Sequence, residues 1–272
     1  MPKLKPFATE VELCKRFISS LPEGWTAYPE TCGWDILLVR RVDGFQIGVE
    51  AKLRLNTEVI SQALEEYGSF SADRAGPDCR AVLVPADSQG GFGRICKYIG
   101  LTIIYVQSEE QIREKKAKAF YLGYKPKPFE PELPGDRHGV NDPEWFEWAP
   151  AKRHMLPDYV PDVDPGAPSP VQLTSWKIAA IKIAIILEKR GFLVRADFKH
   201  INIDHRRWLP SGAGWLVLDR GVYRAAVGFP NFKAQHPRVY EEIAVDFDHW
   251  KPADPLAPPP VAAQEPKQEN LL

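Results

Sequence analysis

The 272-residue sequence predicts an α/β architecture, a mixed central sheet flanked by helices, followed by a small α+β unit. Three observations predict it. Two β-like runs, Trp34–Arg40 and Phe45–Lys52, are joined through Asp43-Gly44, a hairpin signal because glycine readily takes the positive φ such turns require. Downstream, two nearly all-apolar runs, Arg80–Pro85 and Leu101–Val106, alternate with helix-periodic stretches, as in strands covered on both faces. After a proline-rich stretch, residues 171–250 show three helical segments and then a second hairpin.

Taken in order, Thr9 is the expected N-cap of a first helix, with Glu12 completing a capping box. Leu13, Cys14, Phe17, Ile18 and Leu21 form its apolar face, and Glu10 falls near the centre of that same face. An acid on an inward stripe is costly unless something inside needs it. Pro22-Glu23-Gly24 ends the helix, and Trp25–Cys32 reads as a strand leading into the hairpin. Asn56 or Thr57 opens a second helix with Val59, Ile60, Ala63, Leu64 and Tyr67 inward and Gln62 and Glu66 on the flank. Gly76-Pro77 marks a loop before Arg80–Pro85, Phe92–Ile99 a short helix closed by Gly100, and Ser108 the start of a last helix.

Strand periodicity places Ile47, Val49 and Ala51 on one face and Gln46, Gly48, Glu50 and Lys52 on the other. Glu50 and Lys52 are therefore neighbours, with Asp35 near the start of the adjoining strand. A Glu-x-Lys pair on an exposed hairpin is ordinarily a solvated ion pair worth little. Two carboxylates and an ammonium converging at the end of an apolar strand also suit a divalent cation.

The order of helix, three strands, helix, strand, helix, strand, helix over residues 7–115, with Glu10, Asp35, Glu50 and Lys52 in sequence, resembles the PD-(D/E)xK nuclease superfamily, the restriction-endonuclease-like fold. Trp34 stands where that motif has proline, and Gln62 and Tyr67 are five apart where some members have a Gln and a Tyr four apart. The resemblance implies phosphodiester hydrolysis with Glu10, Asp35, Glu50, Lys52 and Gln62 as catalytic residues. Asp35, Glu50 and the Ala51 carbonyl would hold Mg²⁺, with Mn²⁺ able to substitute. Mg²⁺ takes hard oxygen ligands, usually one or two carboxylates with waters and substrate phosphate. Lys52 would orient the attacking water and stabilise developing charge. Because many double-strand cutters need two active sites, the resemblance also implies a homodimer.

The expected domains are 1–124, the nuclease-like unit; 125–170, a linker with 11 prolines; 171–250, a winged-helix-like DNA-binding unit; and 251–272, a disordered tail. Trp145, Phe146 and Trp148 are too apolar for a plain tether and are expected to dock on a domain, base stacking being the alternative. Residues 171–250 carry 12 basic and 8 acidic groups, an excess that permits contact with DNA. In a winged helix the third helix enters the major groove and the hairpin touches the backbone. His205, Arg206 and Arg207 on that helix and Arg220 in the wing are the expected contacts.

No apolar run reaches the roughly 18 residues of a membrane span, and the N-terminus lacks the apolar core of a signal peptide, so a cytoplasmic protein with no membrane partner is expected. Cys14, Cys32, Cys79 and Cys96 have no metal-ligand spacing and are expected to be buried, reduced thiols. The alternative to a Mg²⁺-dependent deoxyribonuclease is a catalytically inactive, nuclease-fold DNA-binding or regulatory protein. A protein partner through the linker or tail completes the expectations.

Overall fold

The computed structural model describes residues 6–64, 75–88, 91–119, 125–135, 143–165, 173, 175–209 and 212–255. Glu66, Tyr67, Thr174 and all but the first residues of the tail lie outside them. The chain divides into two units, Met1–Ser175 with Ala234–Val239, and Trp176–Lys233 with Tyr240–Leu272.

The first unit is built on a mixed six-stranded sheet in the order β1 (Trp25–Thr31), β2 (Trp34–Arg40), β3 (Gln46–Ala51), β4 (Cys79–Pro85), β5 (Thr102–Val106) and β6 (Phe129–Glu130). The first three strands are antiparallel, β3, β4 and β5 are parallel, and β6 returns antiparallel. Period-two alternation assigns the two faces. Ile36 and Leu38, Ile47 and Val49, and Ala81 and Leu83 pack with Leu13, Cys14 and Phe17 of α1 (Glu10–Ile18). Leu37, Val39, Val82 and Val84 pack with Val59, Ile60 and Ala63 of α2 (Thr57–Leu64) and with Cys96 of α3 (Gly93–Tyr98). Each large apolar side chain so buried contributes roughly 1.5–3 kcal/mol. Parallel neighbours need a crossover, and α2 and α3 supply the two required. Among the described residues no helix is long and apolar enough to cross a membrane.

Local chemistry explains the boundaries. Thr9 caps α1, its hydroxyl accepting from the Glu12 N–H at 3.1 Å. Glu12 in turn reaches the Ala8 N–H, at 2.8 Å, one residue before the expected partner. Asn56 accepts from the Val59 N–H at the start of α2. Ser108 and Gln111 exchange side-chain and backbone bonds at the start of α4 (Glu109–Ala119). Between β1 and β2 the sequence reading missed a two-residue turn. Thr31 faces Trp34, and Cys32 and Gly33 both have positive φ, as a type I′ turn requires. Cys32 at its tip is exposed, contrary to the expectation for all four cysteines, while Cys14, Cys79 and Cys96 are buried. Gly48 is required by a close approach, since a Cβ there would overlap the Trp34 ring lying across β3.

The proline-rich stretch does more than link. Phe129–Glu130 forms the edge strand β6, a place where prolines on either side do no harm. Trp145 is buried in the α1-side core, its Nε1 donating to the Glu132 carbonyl at 2.8 Å. Trp148 donates to the Gly100 carbonyl and lies under the Arg80 guanidinium. The first unit therefore absorbs these aromatics, as the docking expectation has it, and the base-stacking alternative loses them.

The second unit contains α5 (Ser175–Arg190) from Trp176 on, α6 (Arg195–His200), a 3₁₀ turn (His205–Trp208), an antiparallel hairpin of β7 (Leu216–Asp219) and β8 (Val222–Ala225), the start of α7 (Phe232–Gln235), the later part of α8 (Pro237–Val245) and α9 (Phe247–Trp250). Isoleucines at 178, 181, 183, 185 and 186 bury α5 on most sides. Around Trp208, fully buried, pack Trp176, Phe198, Trp215, Phe229 and Phe232. The expected recognition helix over 204–209 is the 3₁₀ turn. Asp204 caps it by accepting from the Arg206 N–H at 3.0 Å, and Leu209, which precedes Pro210, is extended because proline disfavours the helical region before it.

Candidate active site

β2 and β3 hold their register from Val39 opposite Gln46 to Ile36 opposite Val49, and there the ladder ends. The next position is taken by a side chain. Asp35 Oδ2 accepts from the Ala51 N–H at 2.7 Å, so a carboxylate is wedged where a main-chain carbonyl would otherwise serve. An extended residue presents its N–H and C=O to the same side. The Ala51 carbonyl therefore points to the Asp35 side, whereas the Lys52 N–H turns the other way, to the Leu83 carbonyl of β4 at 3.0 Å.

Glu50, only 8% exposed, has its carboxyl in hydrogen-bonding contact with that of Asp35. From α1, Glu10 Oε2 stands 3.4 Å from Lys52 Nζ, both side chains partly buried. Four of the five catalytic residues expected from the sequence thus belong to one cluster built by α1, β2 and β3. The fifth does not join it: Gln62 is half-buried on α2, and among the described residues no hydrogen bond ties it to Asp35, Glu50 or Lys52.

Burial raises the Asp35 carboxyl above the ordinary carboxylate range; the Ala51 N–H and Lys52 pull it back, while Glu10 pushes it further up. Beneath the acids lies Cys14 of α1. Burial pushes its thiol far up, and Asp35, Glu10, Glu30 and Glu50 push in the same direction, so it is a neutral packing group and no nucleophile.

That constellation includes one residue the sequence reading passed over. Glu30 stands in β1 opposite Asp35, between the pairs Pro29 with Ile36 and Thr31 with Trp34, and has φ of 47°. Positive φ in a strand residue other than glycine is uncommon and turns the chain out of its regular course. Strand alternation carries no sign of this; the signal was the adjacent Cys32-Gly33 turn.

The donor set suits a hard cation in chemistry. Two carboxyl groups in contact share a proton or take a positive charge between them. Asp35, Glu50 and the Ala51 carbonyl offer oxygens only, in the number that Mg²⁺ accepts while keeping waters and substrate oxygens. Among the described residues no group of three His, Cys, Asp or Glu side chains is placed to hold a metal ion.

In the second unit the expected DNA contacts differ in availability. His205 is half-buried against Phe198 and Tyr223. Arg206 is exposed but held by Asp204 at 3.1 Å. Arg207 is exposed with no ion pair among the described residues. Arg220, exposed, occupies with Gly221 the tip of the β7–β8 turn, both at positive φ. No protein-family model, no curated protein and no solved structure matches this chain.

Proposed function

We propose that the chain is a metal-dependent endonuclease that hydrolyses DNA phosphodiester bonds through a PD-(D/E)xK-type site. The observation that carries this reading is the Asp35 carboxylate bonded to the Ala51 N–H where β2 and β3 part, with Glu50 beside it and Lys52 paired to Glu10. A merely solvated hairpin pair has no reason to be partly buried against an acid of another helix.

Asp35, Glu50 and the Ala51 carbonyl would hold Mg²⁺ or Mn²⁺, which when bound neutralises phosphate charge and lowers the pKa of water. Lys52 supplies the group that meets developing negative charge on the phosphate or holds the attacking water by a charge-assisted hydrogen bond. Glu10 keeps the ammonium aimed by pairing with it, and Cys14 and the α1-side core close the floor of the site to bulk water.

DNA binding by the second unit belongs to the same proposal. Its support is a winged-helix-like feature, a single bridge in which Leu193 exchanges both backbone bonds with Tyr223 of β8, and the exposure of Arg206, Arg207 and Arg220. A four-residue 3₁₀ turn is too short to lie along a major groove, so phosphate contacts rather than base reading fit this unit.

The test is incubation of the full chain with supercoiled plasmid and with single-stranded oligonucleotide in Mg²⁺, Mn²⁺, Ca²⁺ or chelator. Strand scission in Mg²⁺ and Mn²⁺ that ceases in chelator is the expected result. DNA binding without scission under every condition would establish the inactive alternative instead.

A further inference from the structure

Past Lys52 the chain bends away from β3, and beside it opens a cavity of about 370 Å³, within the range of small-ligand pockets. It sits at the C-terminal ends of the parallel strands β3 and β4, where open α/β sheets place their ligands. One wall is Phe7, on the segment that leads into Glu10; another is Pro85, the last residue of β4. Arg54, Asp87 and Ser88 supply the polar side.

The wall carrying Arg54 is fixed in place. The Leu55 N–H donates to Ser88 Oγ at 3.0 Å, and the Ser88 N–H to the Pro85 carbonyl at 2.8 Å. Arg54 itself is exposed, and among the described residues it makes no ion pair. Two residues of chain span at most about 7 Å. The Arg54 Cα therefore lies within about 7 Å of that of Lys52, about one nucleotide step.

The lining limits the occupant. One guanidinium suits one phosphodiester, which it binds through paired N–H donors. Asp87 at the rim repels a second phosphate, which argues against a polyphosphate, and its carboxylate accepts from a base amine or sugar hydroxyl. Phe7 and Pro85 offer an apolar floor for a sugar or base.

We infer that this cavity is the subsite for the nucleotide adjoining the scissile phosphate, with Arg54 holding its phosphodiester. The inference rests on the nuclease reading. The test uses the full chain and a set of single-stranded oligonucleotides, each with one phosphate near the cleavage point replaced by an uncharged methylphosphonate. Wild type, Arg54→Ala and Arg54→Lys are compared for kcat/KM in Mg²⁺, with folding of each variant checked by urea unfolding. At one position next to the cleaved bond the replacement slows wild type about tenfold to a hundredfold, the worth of a charged hydrogen bond. The same replacement leaves Arg54→Ala, already slower on the native strand, unchanged, and Arg54→Lys falls between. Equal losses in wild type and Arg54→Ala at every position overturn the subsite while leaving the nuclease intact. Absence of scission of any native oligonucleotide, single-stranded or annealed to its complement, by wild type removes the nuclease reading and this inference with it.

Discussion

Replacing Asp35 in two ways separates its structural from its chemical role. In Asp35→Ala the buried Ala51 N–H loses the acceptor it has at 2.7 Å, and an orphaned donor of that kind costs about 1–3 kcal/mol. In Asp35→Asn the amide oxygen still accepts from Ala51, while its NH₂ donates to Glu50. The carboxyl that burial and Glu10 disfavour is gone, so the Asn variant without metal is expected to be at least as stable as wild type. For a fold of this size 1 kcal/mol moves Tm by about 2–4 °C, which puts Asp35→Ala roughly 2–12 °C below Asp35→Asn. Calorimetry and urea unfolding in chelator measure that gap. Repeating them in millimolar Mg²⁺ measures ligation, since a bound ion raises stability by RT ln(1 + [L]/Kd). Wild type is expected to gain and both variants to gain nothing, and neither should cut DNA. Two variants of equal stability would refute the Asp35 to Ala51 link, and an Asn variant that keeps its Mg²⁺ shift would refute Asp35 as a ligand.

Lys52→Ala is expected to abolish scission but keep Ca²⁺ binding by calorimetry, because an ammonium does not ligate a metal; cleavage at the wild-type rate would remove Lys52 from the chemistry. Arg207→Ala should lower the salt slope of log affinity for duplex DNA by about 0.9, the worth of one phosphate contact, and Arg206→Ala by less, since Asp204 already holds Arg206. Identical slopes for both variants and wild type across a salt titration would mean the second unit meets something other than DNA backbone. Arg40 beside Asp43 pulls that hairpin carboxyl down to about 2. A depressed folded-state pKa gives stability that is present above the unfolded value near 4 and lost as pH falls toward 2. Asp43→Asn should therefore flatten the acid limb of the stability curve between those values, by a small amount because Asp43 is 41% exposed. An unchanged acid limb would show that the pair exists without contributing.

Much of this molecule was written in local pattern. Thr9 with Glu12, Asn56, and Ser108 with Gln111 announce helix starts because capping is chemistry within four residues, and alternation along Trp34–Arg40 and Phe45–Lys52 assigns the sheet faces because strand geometry is local too. The same alternation put Glu50 and Lys52 together. What needed the tertiary structure was everything decided by register and by segments far apart in sequence. That the ladder between β2 and β3 stops at Ile36, admitting Asp35 to the Ala51 N–H, depends on how two strands slide against each other, which no single strand records. Glu30 stands opposite Asp35 across β1 and β2 with its backbone at positive φ, and Phe7 and Arg54 share a cavity only because α1 packs across the sheet. The prolines between 125 and 170 read as a linker because they exclude regular hydrogen bonding, yet Phe129 and Trp145 bury there. Side-chain burial needs no ladder, and an edge strand of two residues needs almost none.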